Sequence, residues 1–157
     1  MDKRYEEIVL AAGVLKERIG ELRPDVGIVL GSGLGKLADK IENAVIVSYK
    51  DIPGMPAATA LGHKGNFIVG KLGGKTVIAM QGRYHCYEGY PMQEVVLPIR
   101  IMKVLGISTL LVSNAAGGVN FDYHIGDLMI IRDHIDLLPN PLIGANFDKY
   151  ADRKSVV

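Results

Sequence analysis

The chain has 157 residues, 48% of them apolar and 22% charged, with a formal net charge of +1. That suffices for one ordinary globular domain with a real core, read over residues 1–157, and excludes a broad basic field for nucleic acid. A single cysteine excludes an internal disulfide and fits a reducing compartment. Residues Met1 to Glu7 lack the apolar core of a signal peptide, and no apolar run reaches membrane-spanning length. A soluble, cytoplasmic protein is therefore expected, with no membrane partner.

Residues from about Asp2 to Ile19 predict an amphipathic helix, with Tyr5, Ile8, Val9, Ala12, Leu15 and Ile19 at helical spacing. Gly20 and Pro24 end it. Val26 to Leu30 is a short, wholly apolar run, the signature of a strand covered on both faces. It runs straight into Gly31-Ser32-Gly33-Leu34-Gly35-Lys36. A glycine turn between a strand and a helix start gathers backbone N–H groups and favours an anion. The spacing fits neither common nucleotide motif. A Walker loop needs four residues between its glycines, and here three separate Gly31 from Gly35. The dinucleotide fingerprint needs glycine where Lys36 stands. Phosphate binding stays open beside a purely structural close-packing turn.

Ala44 to Tyr49 alternates as a strand, and the long loop from Asp51 to Gly65 carries His63. Asn66–Leu72 and Lys75–Met80 flank Gly73-Gly74, a strong hairpin signal that makes the sheet mixed. The run after Met80 changes character abruptly: Arg83, Tyr84, His85, Tyr87 and Glu88 crowd between Gly82 and Gly89. A forked cation, an imidazole and phenols at a strand end suit an anion and a sugar. The plain alternative is a solvated turn in which Arg83 pairs with Glu88.

Pro91 to Leu105 predicts a helix apolar around most of its girth and buried on more than one side, with Pro98 bending it or marking a joint between two shorter segments. Thr109–Val112 predicts another apolar strand, ending in Ser113-Asn114-Ala115-Ala116-Gly117-Gly118, small residues that let a ligand approach the backbone. Asp127–Arg132 predicts a further strand, and the chain then becomes loop-like. The fold class expected is α/β, a mixed central sheet with flanking helices. His63, His85, His124 and His134 lack metal-binding spacing, so no metal site is expected. Cys86 is not expected to be a catalytic thiol, and His134 is expected to be a hydrogen-bonded structural residue.

In this order and at these separations, Gly31-Ser32-Gly33-Leu34-Gly35, Gln81 through Tyr90, and Asn114-Ala115-Ala116-Gly117-Gly118 closely resemble the purine nucleoside phosphorylases of the trimeric, low-molecular-mass class. Gly62-His63 and Gly126-Asp127 through His134 match the same running pattern, and the resemblance extends to about Arg153. It implies a nucleoside phosphorylase-like fold and phosphorolysis of purine nucleosides, phosphate attacking the anomeric carbon to give free purine and ribose 1-phosphate. Carried over by resemblance, Ser32, His63, Arg83, His85 and the backbone N–H of Ala115 would hold phosphate, with Arg83 and His85 catalytic. Tyr87, Asn114, Ala115, Ala116, Gly117 and Tyr150 would contact the nucleoside, Tyr150 by reaching into a neighbouring subunit. No cofactor is implied beyond inorganic phosphate as co-substrate, and a homotrimer is the assembly. The methylthioadenosine phosphorylases share these loops and are an alternative.

The family's C-terminal half, which grips the purine and completes the phosphate and ribose sites, has no counterpart here. The chain is expected to be incomplete at its C-terminus, with exposed sheet edges and apolar faces. Two further readings follow: a non-catalytic phosphate-binding remnant, or a subunit whose site a partner chain completes.

Overall fold

The computed structural model describes residues 3–31, 33–56 and 64–143. Ser32, His63 and Tyr150 therefore lie outside the described residues.

Helix α1, Lys3–Ile19, buries Ile8, Ala11, Ala12, Leu15 and Ile19, a stripe at three- and four-residue steps. Ala11 takes the place expected of Val9, which faces outward. Strand β1, Val26–Val29, follows, then the four-residue helix α2, Gly35–Ala38, and strand β2, Glu42–Ser48. Strands β3, Asn66–Leu72, and β4, Lys75–Gln81, form the expected hairpin. Its turn residues Gly73 and Gly74 both have positive φ, 56° and 76°, as a two-residue turn of this hand requires.

Among the described residues the sheet has five strands in the order β2-β3-β4-β1-β5, where β5 is Thr109–Val112. The β2-β3-β4 side is antiparallel, whereas β1 lies between β4 and β5 and is parallel to both. The expected mixed sheet is therefore present. Side-chain alternation sends Val29, Val47, Phe67, Val69, Ile78 and Met80 to one face, where they meet α1 and the apolar side of α4. Ile28, Leu30, Ile68, Val77 and Ala79 point to the other face, packed with Ala38 and Ile41. Gly70 allows β2 to bulge across β3. A Cβ there would stand 2.5 Å from the carbonyl oxygen of Glu42, where the β2–β3 register shifts.

The expected long helix is two pieces, α3, Met92–Val95, and α4, Leu97–Val104, divided at Val96. Pro98 sits in the first turn of α4, where its missing N–H costs nothing but where it cannot continue α3. Pro98, Ile101 and Met102 are buried against the core, whereas Leu97, Ile99 and Val104 are only partly covered.

At the C-terminal side β5 is exposed along its length, in line with the apolar faces expected to be exposed, but one expectation fails. Asp127–Arg132, expected as a strand, is not one: Leu128 is 99% exposed and Ile130 94% exposed. An apolar run becomes a strand only when an edge pairs with it, and no strand of the described residues lies beside this one. The segment does return to the body near its end. Gln93 Nε2 and Arg100 Nη2 donate to the carbonyl oxygen of Pro141 at 3.0 and 3.1 Å, and Arg100 Nη1 donates to Gln93 Oε1 at 2.7 Å.

Candidate phosphate site at the ends of three parallel strands

The parallel pairing aligns Val29 with Met80 on one side and with Val112 on the other. The three chains therefore leave the sheet at one end, as neighbours: the glycine turn from Gly31, the donor-rich loop from Gly82 and the small-residue loop from Ser113. Loops at the carboxyl ends of parallel strands are where α/β sheets bind ligands, because backbone and side chains converge there without a covering layer.

Ser113 joins the three. Its Oγ accepts the N–H of Gly31 at 3.0 Å and donates to the carbonyl oxygen of Val29 at 3.1 Å. Its carbonyl oxygen accepts from Arg83 Nη1 at 2.7 Å. Arg83, half-buried, is thus anchored through one nitrogen of a planar fork, which fixes the direction of the others. The N–H of Gly31 is used inside the protein, and that of Leu34 closes the turn on the Gly31 carbonyl at 3.1 Å. These two amides hold the turn together and are not turned outward to an anion. α2 is a single turn, so it adds little helix dipole.

The loop from Gly82 to Tyr90 is propped from below by aromatic rings. Tyr49, buried, donates its hydroxyl to the carbonyl oxygen of Gly82 at 2.7 Å, and Tyr84, also buried, donates to that of Pro56 at 2.7 Å. The Tyr84 ring lies between Tyr90, 5.1 Å away, and Tyr49, 5.9 Å away, and Tyr49 meets Phe67 edge-on at 4.9 Å. Burial drives both phenol pKa values up; for Tyr49 the neighbouring Tyr84 adds to this, and for Tyr84 the neighbours Tyr90 and Glu94 do. Both stay protonated and keep their donor hydrogens. Tyr84, grouped by sequence with the anion- and sugar-binding donors, is a structural member of this stack.

Above the stack, the Glu88 carboxylate accepts the N–H of His85 at 2.9 Å, and Gly89 closes the turn with φ 90°. The His85 and Tyr87 rings are stacked, centroids 4.6 Å apart and 21° between planes. Tyr87 is 82% exposed. An imidazole and a phenol are thereby held together in the loop that follows β4. Cys86 Sγ lies 3.9 Å from Met92 Sδ, in contact with α3.

Asn114, Ala115, Ala116 and Gly117 continue from Ser113 as exposed backbone, and Asn114 Nδ2 donates to the Ala115 carbonyl at 3.2 Å. Arg83 and the start of this loop are brought together; His85 and Tyr87 are brought together in turn. Ser113 and Tyr49 are the positioning groups that sequence reasoning missed. A serine at the very end of an apolar strand, before Asn-Ala-Ala, was the available signal for the first.

His134 is exposed, and its backbone N–H donates to Asp133 Oδ1 at 2.8 Å. Among the described residues no group of three or more His, Cys, Asp or Glu is arranged to hold a metal. No helix among them is long and apolar enough to cross a membrane.

The chain is 54% identical over 142 residues to purine nucleoside phosphorylase 1 of Bacillus subtilis, covering 90% of this chain and 52% of the relative. It is 45% identical over 137 residues to the purine nucleoside phosphorylase of Bos taurus, covering 85% of this chain and 47% of that protein. The chain thus spans about half the length of the curated relatives it matches. Among solved structures, isoform 2 of the Schistosoma mansoni purine nucleoside phosphorylase, with cytosine and ribose 1-phosphate, superposes with a TM-score of 0.86 at 45% identity. That match covers 95% of this chain and 53% of the other. The Schistosoma mansoni enzyme with inosine matches at TM-score 0.85 and 43% identity, covering 94% of this chain and 53% of that one. Residues 25–155 match the model of the phosphorylase superfamily, and the chain belongs to that family.

Proposed function

We propose that this chain carries the phosphate subsite and part of the ribose subsite of a purine nucleoside phosphorylase, within a single nucleoside phosphorylase-type domain. The reaction is the reversible phosphorolysis of purine ribo- and deoxyribonucleosides to free base and sugar 1-phosphate. The observation that carries it is the convergence of three loops on Ser113, with Arg83 anchored at 2.7 Å beside the glycine turn. Relatives solved with inosine, with hypoxanthine and with ribose 1-phosphate supply a nucleoside and both products of such a reaction.

In this reading the Arg83 fork grips two phosphate oxygens, and Ser32, His63, His85 and the Ala115 N–H complete the cradle. The glycosidic bond breaks as positive charge builds on the ribose, so a fixed phosphate dianion is both nucleophile and electrostatic stabiliser. Tyr87 contacts a ribose hydroxyl, and Asn114 to Gly117 border the nucleoside. No cofactor is required beyond phosphate. A cytoplasmic homotrimer, with Tyr150 directed to a neighbour, belongs to the same proposal. A single missing contact to the transition-state charge costs on the order of a hundredfold in rate, so purine contacts outside this half weigh heavily.

The test is calorimetric titration with inorganic phosphate, followed by inosine phosphorolysis, on the wild type and Arg83→Ala. Wild-type phosphate binding that weakens at least about tenfold in Arg83→Ala is expected. A wild type that binds no phosphate, or an Arg83→Ala chain that binds it equally well, would sink the proposal.

A further inference from the structure

We propose that Ser113 is a positioning residue of the phosphate site, setting phosphate affinity through a hydroxyl that never touches the ion. The inference rests on the phosphate reading of the three loops. Ser113 stands half-buried at the carboxyl end of β5, and every polar group it has is committed. Its N–H and its Oγ both donate to the Val29 carbonyl oxygen, at 3.3 and 3.1 Å. Its Oγ accepts from Gly31 N–H at 3.0 Å, and its carbonyl oxygen receives Arg83 Nη1 at 2.7 Å.

A hydroxyl is the smallest side-chain group that donates and accepts at once, and here both capacities are used across two strands. The fit is tight: a Cβ on Gly31 would lie 2.6 Å from the Ser113 carbonyl oxygen. The glycine turn and the guanidinium are therefore referenced to one residue rather than to each other. Removing the hydroxyl leaves the buried N–H of Gly31 without its acceptor. The turn then relaxes away from β5, while Arg83 stays with the Ser113 carbonyl. Anion affinity depends on the relative placement of these donors, so it falls although no ligand-touching group has changed.

The experiment titrates inorganic phosphate into the full chain and its Ser113→Thr, Ser113→Val and Ser113→Ala variants, with far-UV circular dichroism as the check on folding. Thr and Val have the same shape and differ in the hydroxyl. Ser113→Thr should bind within about twofold of wild type, and Ser113→Val and Ser113→Ala about tenfold more weakly, as when groups that orient the ligands of a bound ion are removed. Equal affinity of the Thr and Val variants, whether strong or weak, would overturn the assignment. So would hydroxyl-free variants that fail to fold where Thr folds, which would make Ser113 a structural tie only. A wild type that binds no phosphate refutes the underlying site reading before any substitution is compared, so the two failures are distinguishable.

Discussion

The body built from α1, the β2-β3-β4-β1 strands and α4, and the stretch from β5 to residue 143, are equally apolar to the eye, yet only the first is packed. Phe67 is 0% exposed between two layers, whereas Phe121 is 103% exposed. Both are phenylalanines in a chain of one composition, so hydrophobicity alone does not explain the difference. Burial needs a second surface. β3 has strands on both sides and a helix above it, while β5 has a neighbour on one side and its faces open.

The sharpest way to break this contrast is a matched pair of truncations. Phe67→Ala should cost about 3–5 kcal/mol, the range for a buried aromatic, read as a shift in urea midpoint. Phe121→Ala should stay within about 0.5 kcal/mol of wild type. Similar losses at both positions would show that the C-terminal stretch is packed in solution.

Glycines make the same comparison at smaller scale. Gly70→Ala forces a Cβ onto the β2 backbone and should destabilise by about 1–3 kcal/mol. Gly117→Ala meets no atom within 4 Å and should be neutral in urea denaturation.

Alkaline pH sharpens the contrast in another way. Burial holds the Tyr49 phenol above its ordinary pKa, so the folded state keeps a proton that the unfolded state releases. Its contribution is intact below pH about 10 and is lost as pH rises beyond that value. Tyr49→Phe should therefore lose stability less steeply than wild type between pH about 9 and about 11. Equal slopes would remove Tyr49 from the account. Smallest of all is the exposed His124–Asp127 contact at 3.8 Å: Asp127→Asn should change stability by no more than about 1 kcal/mol in the same urea assay.

Where periodicity and turn chemistry agree with the tertiary setting, the fold was legible from residues. α1, β1 and the Gly73-Gly74 hairpin fall where spacing places them. The break at Val96 followed from Pro98, which marks the joint between two shorter helices. Asp127–Arg132 was misread because an apolar run carries no information about whether an edge is available to it. The candidate site was legible in its donors, since Arg83 and His85 are unusual in a turn. Its supports were not. Ser113 reads as one more small residue, and Tyr84 as one more donor, until the topology shows which carbonyl each one meets.

The lateral order of the strands has a kinetic consequence. Gly31 and Ser113 meet across 82 residues of sequence, and Arg83 reaches Ser113 across 30. Among the described residues β1 is the first strand made, yet it lies between the fourth, β4, and the last, β5. The proposed anion site is therefore absent until the most non-local pairing of the sheet has closed, a step slowed by loop-closure entropy. Phosphate competence in a refolding chain should rise with the docking of β5, after the hairpin has formed, so the ion acts as a timer for completion of the sheet.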